Sequence, residues 1–363
     1  MHGLQLAVQG LLVPDNTQQV QLDRLIDAAY EHMSASPESP CWRRLYTDAC
    51  LLRSLADMAH AVSPCDTVAL ESIRRLDRAI VIAGASGQGR LDLILHIIEN
   101  IQRVYLPARS FESAILLAIV PSSLPCQLDS SARGIPCTEP PSIPLFQKTM
   151  SRHPFILRGY VRDWPAMIEH PWASTDYLRS IAGPGRIVPI EVGSDYRNED
   201  WTQKMMDWDQ FLAALDSQQH VSHNQPDVLY LAQHDLLKQF PALRADIMVP
   251  DYIYACLSSP ADFPGYKPPG NDEQLVINAW LGPSGTISPA HTVSLMTITH
   301  DTEVLTVYHQ QDPYFNFFGM NMTIWCLAPT NDRYSSDCWS QNGMASSSTH
   351  DFVHVSVPSR IVV

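Results

Sequence analysis

Residues 275–291 form the segment that most limits what this chain can fold into. Residues 275–280 read LVINAW, a run of mostly apolar and β-branched residues typical of a strand, and GPSG at 282–285 is typical of a tight turn. The next six residues, TISPAH, predict a second strand that ends at His291. Strand side chains alternate between the two faces, so in a β-barrel a histidine at this place could point inward and hold a metal ion.

The chain before residue 122 predicts a helical domain. Apolar residues between positions 91 and 101 recur at helical spacing, including Ile94, Ile98 and Ile101, so one face of this segment is apolar. A segment rich in Pro and Ser follows, and such a composition cannot bury a core. We therefore predict three parts, namely a helical domain over 1–121, a linker over 122–149 and a second domain over 150–363.

Short strands and a capped helix are predicted after the linker. Apolar and β-branched residues predict strands at 155–157 and 187–192. Ser174 precedes the segment 176–182 and Gly183 follows it, and these residue types are preferred at the start and just after the end of a helix. The pattern therefore predicts a short helix between the two strands.

A glycine-rich segment, GASGQG at 84–89, superficially resembles a phosphate-binding loop. It lacks the lysine and the Ser or Thr of such a loop, and no strand is predicted before it. The segment therefore favours a turn between two helices.

The charge balance narrows the class of partner. The 363 residues carry a formal net charge of −14, which argues against a broad nucleic-acid-binding surface. Eight cysteines without a Cys-x-x-Cys pair favour reduced thiols, and the sequence has no run of about 18 apolar residues that would predict a membrane span. We therefore expect a nuclear or cytoplasmic protein that binds a protein or small molecule, without direct contact to nucleic acid or membrane.

The segment NAWLGPSGTISPAH at 278–291 resembles the metal-entry strand of JmjC-domain dioxygenases. The similarity extends upstream through HPFILRG at 153–159, VPIEVGS at 188–194 and YLAQH at 230–234. The resemblance implies an α+β fold, in which a helical domain precedes a JmjC or cupin-type double-stranded β-helix, a jelly roll. Because the similarity covers roughly residues 150–318 and the C-terminal part departs from the family, we expect this jelly roll to be incomplete at its C-terminal end.

The resemblance makes His291 the first ligand of Fe(II). In the family an Asp comes two positions later, because residues i and i+2 of an extended segment face the same side, but Val293 stands there. Asp312 begins DPYFN, which is similar to the family's sequence from this Asp onward, so we predict it to be the carboxylate ligand. We interpret residues 293–311 as an atypical insert and hypothesise a retained intron, which sequencing of the spliced transcript tests. If the insert is translated, residues 293–311 form a long loop that brings Asp312 back beside His291.

The remaining cofactor residues also come from the resemblance. His354 is the predicted third metal ligand, with an ordinary surface histidine as the alternative. Tyr230, Thr286 and Asn316 are implied to hydrogen-bond 2-oxoglutarate, whose carboxylate oxygens accept from hydroxyl and amide groups. The family's lysine for the distal carboxylate is missing from the segment MTIWCLAP at 322–329.

Glu191 and Trp280 are implied to line a pocket for a basic side chain, because a carboxylate and an aromatic face suit a guanidinium or a methylated ammonium group. The alternative is that Trp280 fills the barrel core. The implied activity is Fe(II)- and 2-oxoglutarate-dependent hydroxylation or demethylation of a basic side chain in a protein such as a histone, with His291 and Asp312 as the catalytic residues. A catalytically inactive JmjC-like scaffold that binds a protein partner remains the open alternative.

Overall fold

The computed structural model describes twelve stretches of the chain: residues 16–36, 39–60, 66–106, 137–150, 155–158, 160–193, 202–218, 228–254, 276–282, 295–299, 304–307 and 323–327. Within these stretches a helical region is followed by a mixed sheet with short helices packed against it, as the predicted α+β class requires. Among the residues so described, no helix is long and apolar enough to cross a membrane.

Four long helices form the N-terminal region: α1 (Asn16–Ala35), α2 (Pro40–His60), α3 (Asp66–Ala83) and α4 (Arg90–Tyr105). The predicted apolar face of the last helix is confirmed, since Ile94, Ile98 and Ile101 are buried and pack against apolar residues of α3 such as Ile73 and Leu76. Burial of each such side chain stabilises the fold by about 1.5–3 kcal/mol. This shared core holds the helices together.

The glycine-rich segment is the predicted interhelical turn. It connects α3 to α4, and Gly84 and Gly89 adopt φ angles of 68° and 66°, in the left-handed region that glycine enters without steric cost. The turn reverses the chain within six residues and lets α4 begin at Arg90.

The sheet contains nine strands within the described residues: β1 (Cys137–Thr138), β2 (Phe155–Arg158), β3 (Ile187–Val192), β4 (Thr202–Asp207), β5 (Leu229–His234), β6 (Val276–Leu281), β7 (Leu295–Thr299), β8 (Val304–Val307) and β9 (Thr323–Leu327). Their order across the sheet is β1-β2-β8-β7-β9-β6-β5-β3-β4. The strands predicted at 155–157 and 187–192 are confirmed. Strands β7 and β8 both lie inside the predicted insert at 293–311 and pair with β9 and β2 respectively.

Short helices cover one face of this sheet: α5 (Ile143–Lys148), α6 (Thr175–Ala182), α7 (Trp208–Gln218), α8 (Leu236–Gln239) and α9 (Asp251–Tyr254), with 3-10 turns at Pro165–Met167 and Pro241–Asp246. Trp208 and Phe211 of α7 are fully buried and share one core with Ile190 of β3 and Leu231 of β5. The indole Nε1 of Trp208 also donates to the carbonyl oxygen of Leu178 at 3.1 Å, so α7 is held against α6.

The predicted helix at 176–182 is present as α6 and begins one residue earlier. Ser174 is its N-cap, and its Oγ accepts from the backbone N–H of Tyr177 at 3.3 Å. Gly183 follows the last residue with φ 70°, and its N–H donates to the Arg179 carbonyl. Ser174 and Gly183 therefore cap the two ends of α6, as predicted.

Replacement of Ser174 with alanine is expected to lower the free energy of unfolding by about 1 kcal/mol, because one backbone N–H at the start of α6 loses its partner. Urea denaturation followed by circular dichroism measures the change. Ser180→Ala is the matched control, since Ser180 lies exposed within the same helix, where alanine is the better helix former. Equal losses in the two variants would contradict the capping role.

A buried ion pair joins the helical region to the sheet. Asp77 of α3 accepts from Arg186, just before β3, with Oδ1 to Nη2 at 2.7 Å and Oδ2 to Nε at 3.0 Å. The same carboxylate accepts from the backbone N–H of Ile187 at 2.9 Å and from Nε2 of Gln239 at 2.8 Å. Asp77 is completely buried, and four donors from the sheet side converge on it. These hydrogen bonds therefore hold the helical region against the start of β3.

Candidate active site

Three residues predicted for cofactor or substrate contact come from neighbouring strands of the sheet. Glu191 of β3 lies directly opposite Tyr230 of β5 in the antiparallel register. Trp280 lies on β6, which pairs with the other side of β5 through Leu231 and Leu281. Because side chains alternate along each strand, Glu191, Tyr230 and Trp280 all lie on one face, the one opposite to the hydrophobic core.

The opposite face of the same strands is packed against the helices. Ile190, Leu231, Ala279 and Leu281 belong to the main core of the sheet domain, whereas Trp280 does not, although it is buried. The alternative that Trp280 fills the barrel core stays open, because its ring is buried on the face opposite to this helix-packed core. A buried aromatic ring on the face that carries Glu191 and Tyr230 can instead line a pocket.

The predicted metal ligands His291, Asp312 and His354 lie outside the described residues, and so do Thr286 and Asn316. Their predicted roles therefore stay predictions. Within the described stretches, no group of three or more His, Cys, Asp or Glu residues could hold a metal ion.

A cavity of about 580 Å³ lies between the helical region and the sheet. Its helical wall comes from the ends of α1, α2 and α3 and the turn after them: Tyr30, Met33, Ser34, Arg43, Ile80, Val81, Ile82 and Gly84. Its other wall comes from β3 to β6 and the start of α8: Pro189, Gln203, Lys204, Met205, Gln233, His234, Asp235, Lys238 and Asn278. The volume is within the range of small-molecule and peptide-residue pockets.

His234, at the end of β5, is the titratable group of this cavity with the strongest perturbation. Its Nε2 donates to Oε1 of Gln239 at 2.7 Å, and Gln239 donates in turn to Asp77 and to the carbonyl of Ile187. Burial lowers the pKa of His234 to about 4, although the hydrogen bond to Gln239 and the charge of Asp77 oppose the shift. The ring is therefore neutral near pH 7, with the proton on Nε2.

The neutral state of His234 predicts a pH dependence of stability. The unfolded chain binds a proton at this residue below about pH 6.5, whereas the folded chain binds it only near pH 4. Stability should therefore fall as the pH is lowered through this interval, by up to about 3 kcal/mol from this group. Urea denaturation of the wild type and His234→Gln at pH 7, 5.5 and 4.5 measures it. Parallel stability profiles of the two proteins would contradict the assignment.

The sequence reasoning missed His234, Gln239 and Lys238. One local signal was available, because Asp235 precedes the apolar pair at 236–237 and caps α8 by accepting from the N–H of Lys238 at 3.0 Å. The polar contacts themselves depend on α3 and β3, which are distant along the chain. No local sequence pattern predicts these contacts.

Comparisons with known proteins give the family of the sheet region. Residues 145–297 match the family described as "Cupin-like domain". Lysine-specific demethylase 8 of Danio rerio is 34% identical over 260 residues, which cover 69% of this chain and 58% of that protein. Jumonji C domain-containing protein 5 of Drosophila melanogaster is 32% identical over 251 residues, which cover 69% of this chain and 56% of that protein.

The sheet region is therefore a cupin-like domain. More narrowly, the chain carries a cupin-like domain of the JmjC type, as the resemblance implied. Lysine-specific demethylase JMJ30 of Arabidopsis thaliana is also similar, with 34% identity over 139 residues that cover 38% of this chain and 28% of that protein. The chain spans less than three fifths of the length of these relatives, and they include proteins named as lysine demethylases.

Proposed function

We propose that this protein is an Fe(II)- and 2-oxoglutarate-dependent oxygenase that hydroxylates or demethylates a basic side chain of a protein substrate. The observation that carries the proposal is the shared face of Glu191, Tyr230 and Trp280 on three neighbouring strands. A carboxylate, a phenol and an indole on one sheet face form a set that can bind a basic side chain beside a carboxylate co-substrate. The similarity to proteins named lysine demethylases supports a protein substrate such as a histone. The nucleus or the cytoplasm is the proposed location of this activity.

The donor set of the described face fits the proposed co-substrate. The hydroxyl of Tyr230 can donate to a carboxylate oxygen of 2-oxoglutarate, and Thr286 and Asn316 would supply further donors. His291, Asp312 and His354 would hold Fe(II), since two imidazoles and one carboxylate are the donors that non-haem iron oxygenases use. When bound, the metal and 2-oxoglutarate would activate O₂, which is the oxidant of the substrate.

The protein residues would bind and orient the substrate. The Glu191 carboxylate would accept charged hydrogen bonds from a guanidinium or ammonium group, which are about twice as strong as neutral ones. The Trp280 ring would offer its face to the same cation. Since Trp280 is buried, a cation beside it would be shielded from water, and this strengthens both contacts.

A direct test uses the full chain with Fe(II), 2-oxoglutarate and O₂. We expect about one Fe(II) bound per chain and formation of succinate, measured by titration and by mass spectrometry. Metal binding without succinate would contradict the co-substrate assignment. Absence of both, with a protein partner still bound, would instead identify the chain as the inactive scaffold.

Replacement of Glu191 with alanine is expected to weaken binding of arginine- or lysine-containing peptides by about 10- to 100-fold, because a charge-assisted hydrogen bond of about 1.5–3 kcal/mol is lost. Fluorescence anisotropy with labelled peptides measures the affinity. Glu169→Ala is the matched control, since Glu169 is exposed on the loop before α6 and lines no part of this face. Unchanged affinity in Glu191→Ala would exclude the proposed pocket.

A further inference from the structure

The cavity between the helical region and the sheet adjoins the residues of the proposed substrate pocket. Gln203, which lines the cavity, lies directly opposite Glu191 in the pairing of β3 with β4. Asn278 lines the cavity on β6 and stands two residues before Trp280, so both lie on the same sheet face. A ligand held at Glu191 and Trp280 would therefore have the cavity next to it.

The cavity also reaches the edge of the sheet. It is bordered by three consecutive residues of β4, Gln203, Lys204 and Met205, although neighbouring side chains of a strand point to opposite faces. β4 is the outermost strand of the sheet in the part of the chain that the structure describes, and its first three residues are exposed. An edge strand beside an open cavity suits an extended peptide, which can pair with the strand backbone.

The charge of the cavity is opposite to that of the whole chain. Three cationic side chains line it, Arg43, Lys204 and Lys238, against the one carboxylate of Asp235. Arg43 donates one N–H to the Ile82 carbonyl and Lys238 donates to the Gly84 carbonyl, so both cations are held at the cavity wall. The chain as a whole has a net charge of −14. A positive cavity in an acidic protein is complementary to an acidic ligand.

We infer that this cavity binds an acidic segment of the protein substrate, next to the basic residue that is modified. The inference rests on the proposed function, because it takes the basic residue to lie at Glu191 and Trp280. It gives the helical region a part in substrate selection, since Arg43 lies on α2 and Tyr30 on α1. The preferred substrate then has a basic residue with an acidic side chain close to it in the sequence.

A positional peptide scan tests the inference. Fluorescein-labelled peptides of eleven residues carry one central arginine in a Gly-Ser background, with a single Glu placed in turn at every other position. Each Glu peptide is compared with its Gln counterpart by anisotropy on the full chain at low salt. We expect at least one position at which Glu binds about fivefold tighter than Gln or better. Preferences within twofold at every position, or no measurable binding of any peptide, would overturn the inference.

Variants connect the preference to the cavity. The double variant Lys204→Gln with Arg43→Gln should lose the preference for Glu and keep its affinity for the Gln peptides. Arg103→Gln with Lys148→Gln is the matched control, because both residues are exposed and neither lines the cavity. Thermal melts show whether the double variant remains folded, and Lys204→Gln alone should still reduce the preference if it does not. A preference that is undiminished in Lys204→Gln overturns the inference.

The same scan separates this inference from the function on which it rests. Replacement of the central arginine with alanine should abolish binding if the pocket at Glu191 and Trp280 is correct. If alanine peptides bind as well as arginine peptides, the proposed pocket is wrong, whatever the effect of Glu. If arginine is required but Glu gives no gain, the pocket stands and only the acidic subsite is wrong.

Discussion

Replacement of Asp77 with alanine should lower the free energy of unfolding by about 3–5 kcal/mol, because it leaves the buried guanidinium of Arg186 without a counter-charge. The loss extends beyond the ion pair, since the N–H of Ile187 and the amide of Gln239 also lose their acceptor. All of these donors are inside the protein, where water cannot replace the carboxylate. Urea or guanidinium denaturation measures the change.

Two further variants show how much of the stability loss comes from burial of this ion pair and how much from the charge left unpaired. Asp23→Ala removes an ion pair with Arg53 at 2.8 Å in which the Asp23 side chain is half exposed, so its loss should stay below about 1 kcal/mol. Asp77→Leu combined with Arg186→Met should recover part of the loss, because no uncompensated charge remains buried. An Asp77→Ala variant as stable as Asp23→Ala would show that the junction is not held by this carboxylate.

Replacement of His291 or Asp312 with alanine should remove bound Fe(II) and reduce succinate formation by more than about 100-fold. Changes in residues that only support metal ligands already cost about 10- to 100-fold, and loss of a ligand itself should cost more. Metal content is measured by atomic emission after gel filtration, and turnover by mass spectrometry of succinate. Circular dichroism of each variant separates loss of a ligand from a folding defect, since a folding defect would also remove both metal and turnover.

Other histidines of the same region serve as controls. His300→Ala and His309→Ala should keep the metal and the turnover of the parent chain. His354→Ala should lose the metal, whereas His350→Ala should not, because His354 is the predicted third ligand. A chain that keeps its iron after Asp312→Ala would show that another carboxylate completes the site.

The sequence was most informative where the signal is local. Ser174 and Gly183 predict the ends of α6 because capping involves only residues within one helical turn. Ile94 and Ile98 predict a buried face because their spacing matches the helix period. The positive φ of Gly84 follows likewise from a turn that only glycine makes without strain.

The candidate site was predicted in part. Glu191, Tyr230 and Trp280 were named from a resemblance, and their alternation along strands is enough to explain a shared face once the strand pairing is known. The bond from Gln239 to Asp77 joins residues 162 positions apart, and no local pattern encodes it. The cavity arises from the docking of helices on strands, so its lining could not be derived from either part of the chain alone.

The place of β7 and β8 in the sheet bears on the retained-intron hypothesis. Both strands come from codons 293–311, and β8 is the strand that bonds to β2 in the observed order. A spliced message without those codons would encode a protein in which β2 keeps β1 but loses β8 as a neighbour, while His291 and Asp312 would stand two positions apart. The two messages would therefore specify two different pairings at this side of the sheet, and sequencing of the spliced transcript distinguishes them.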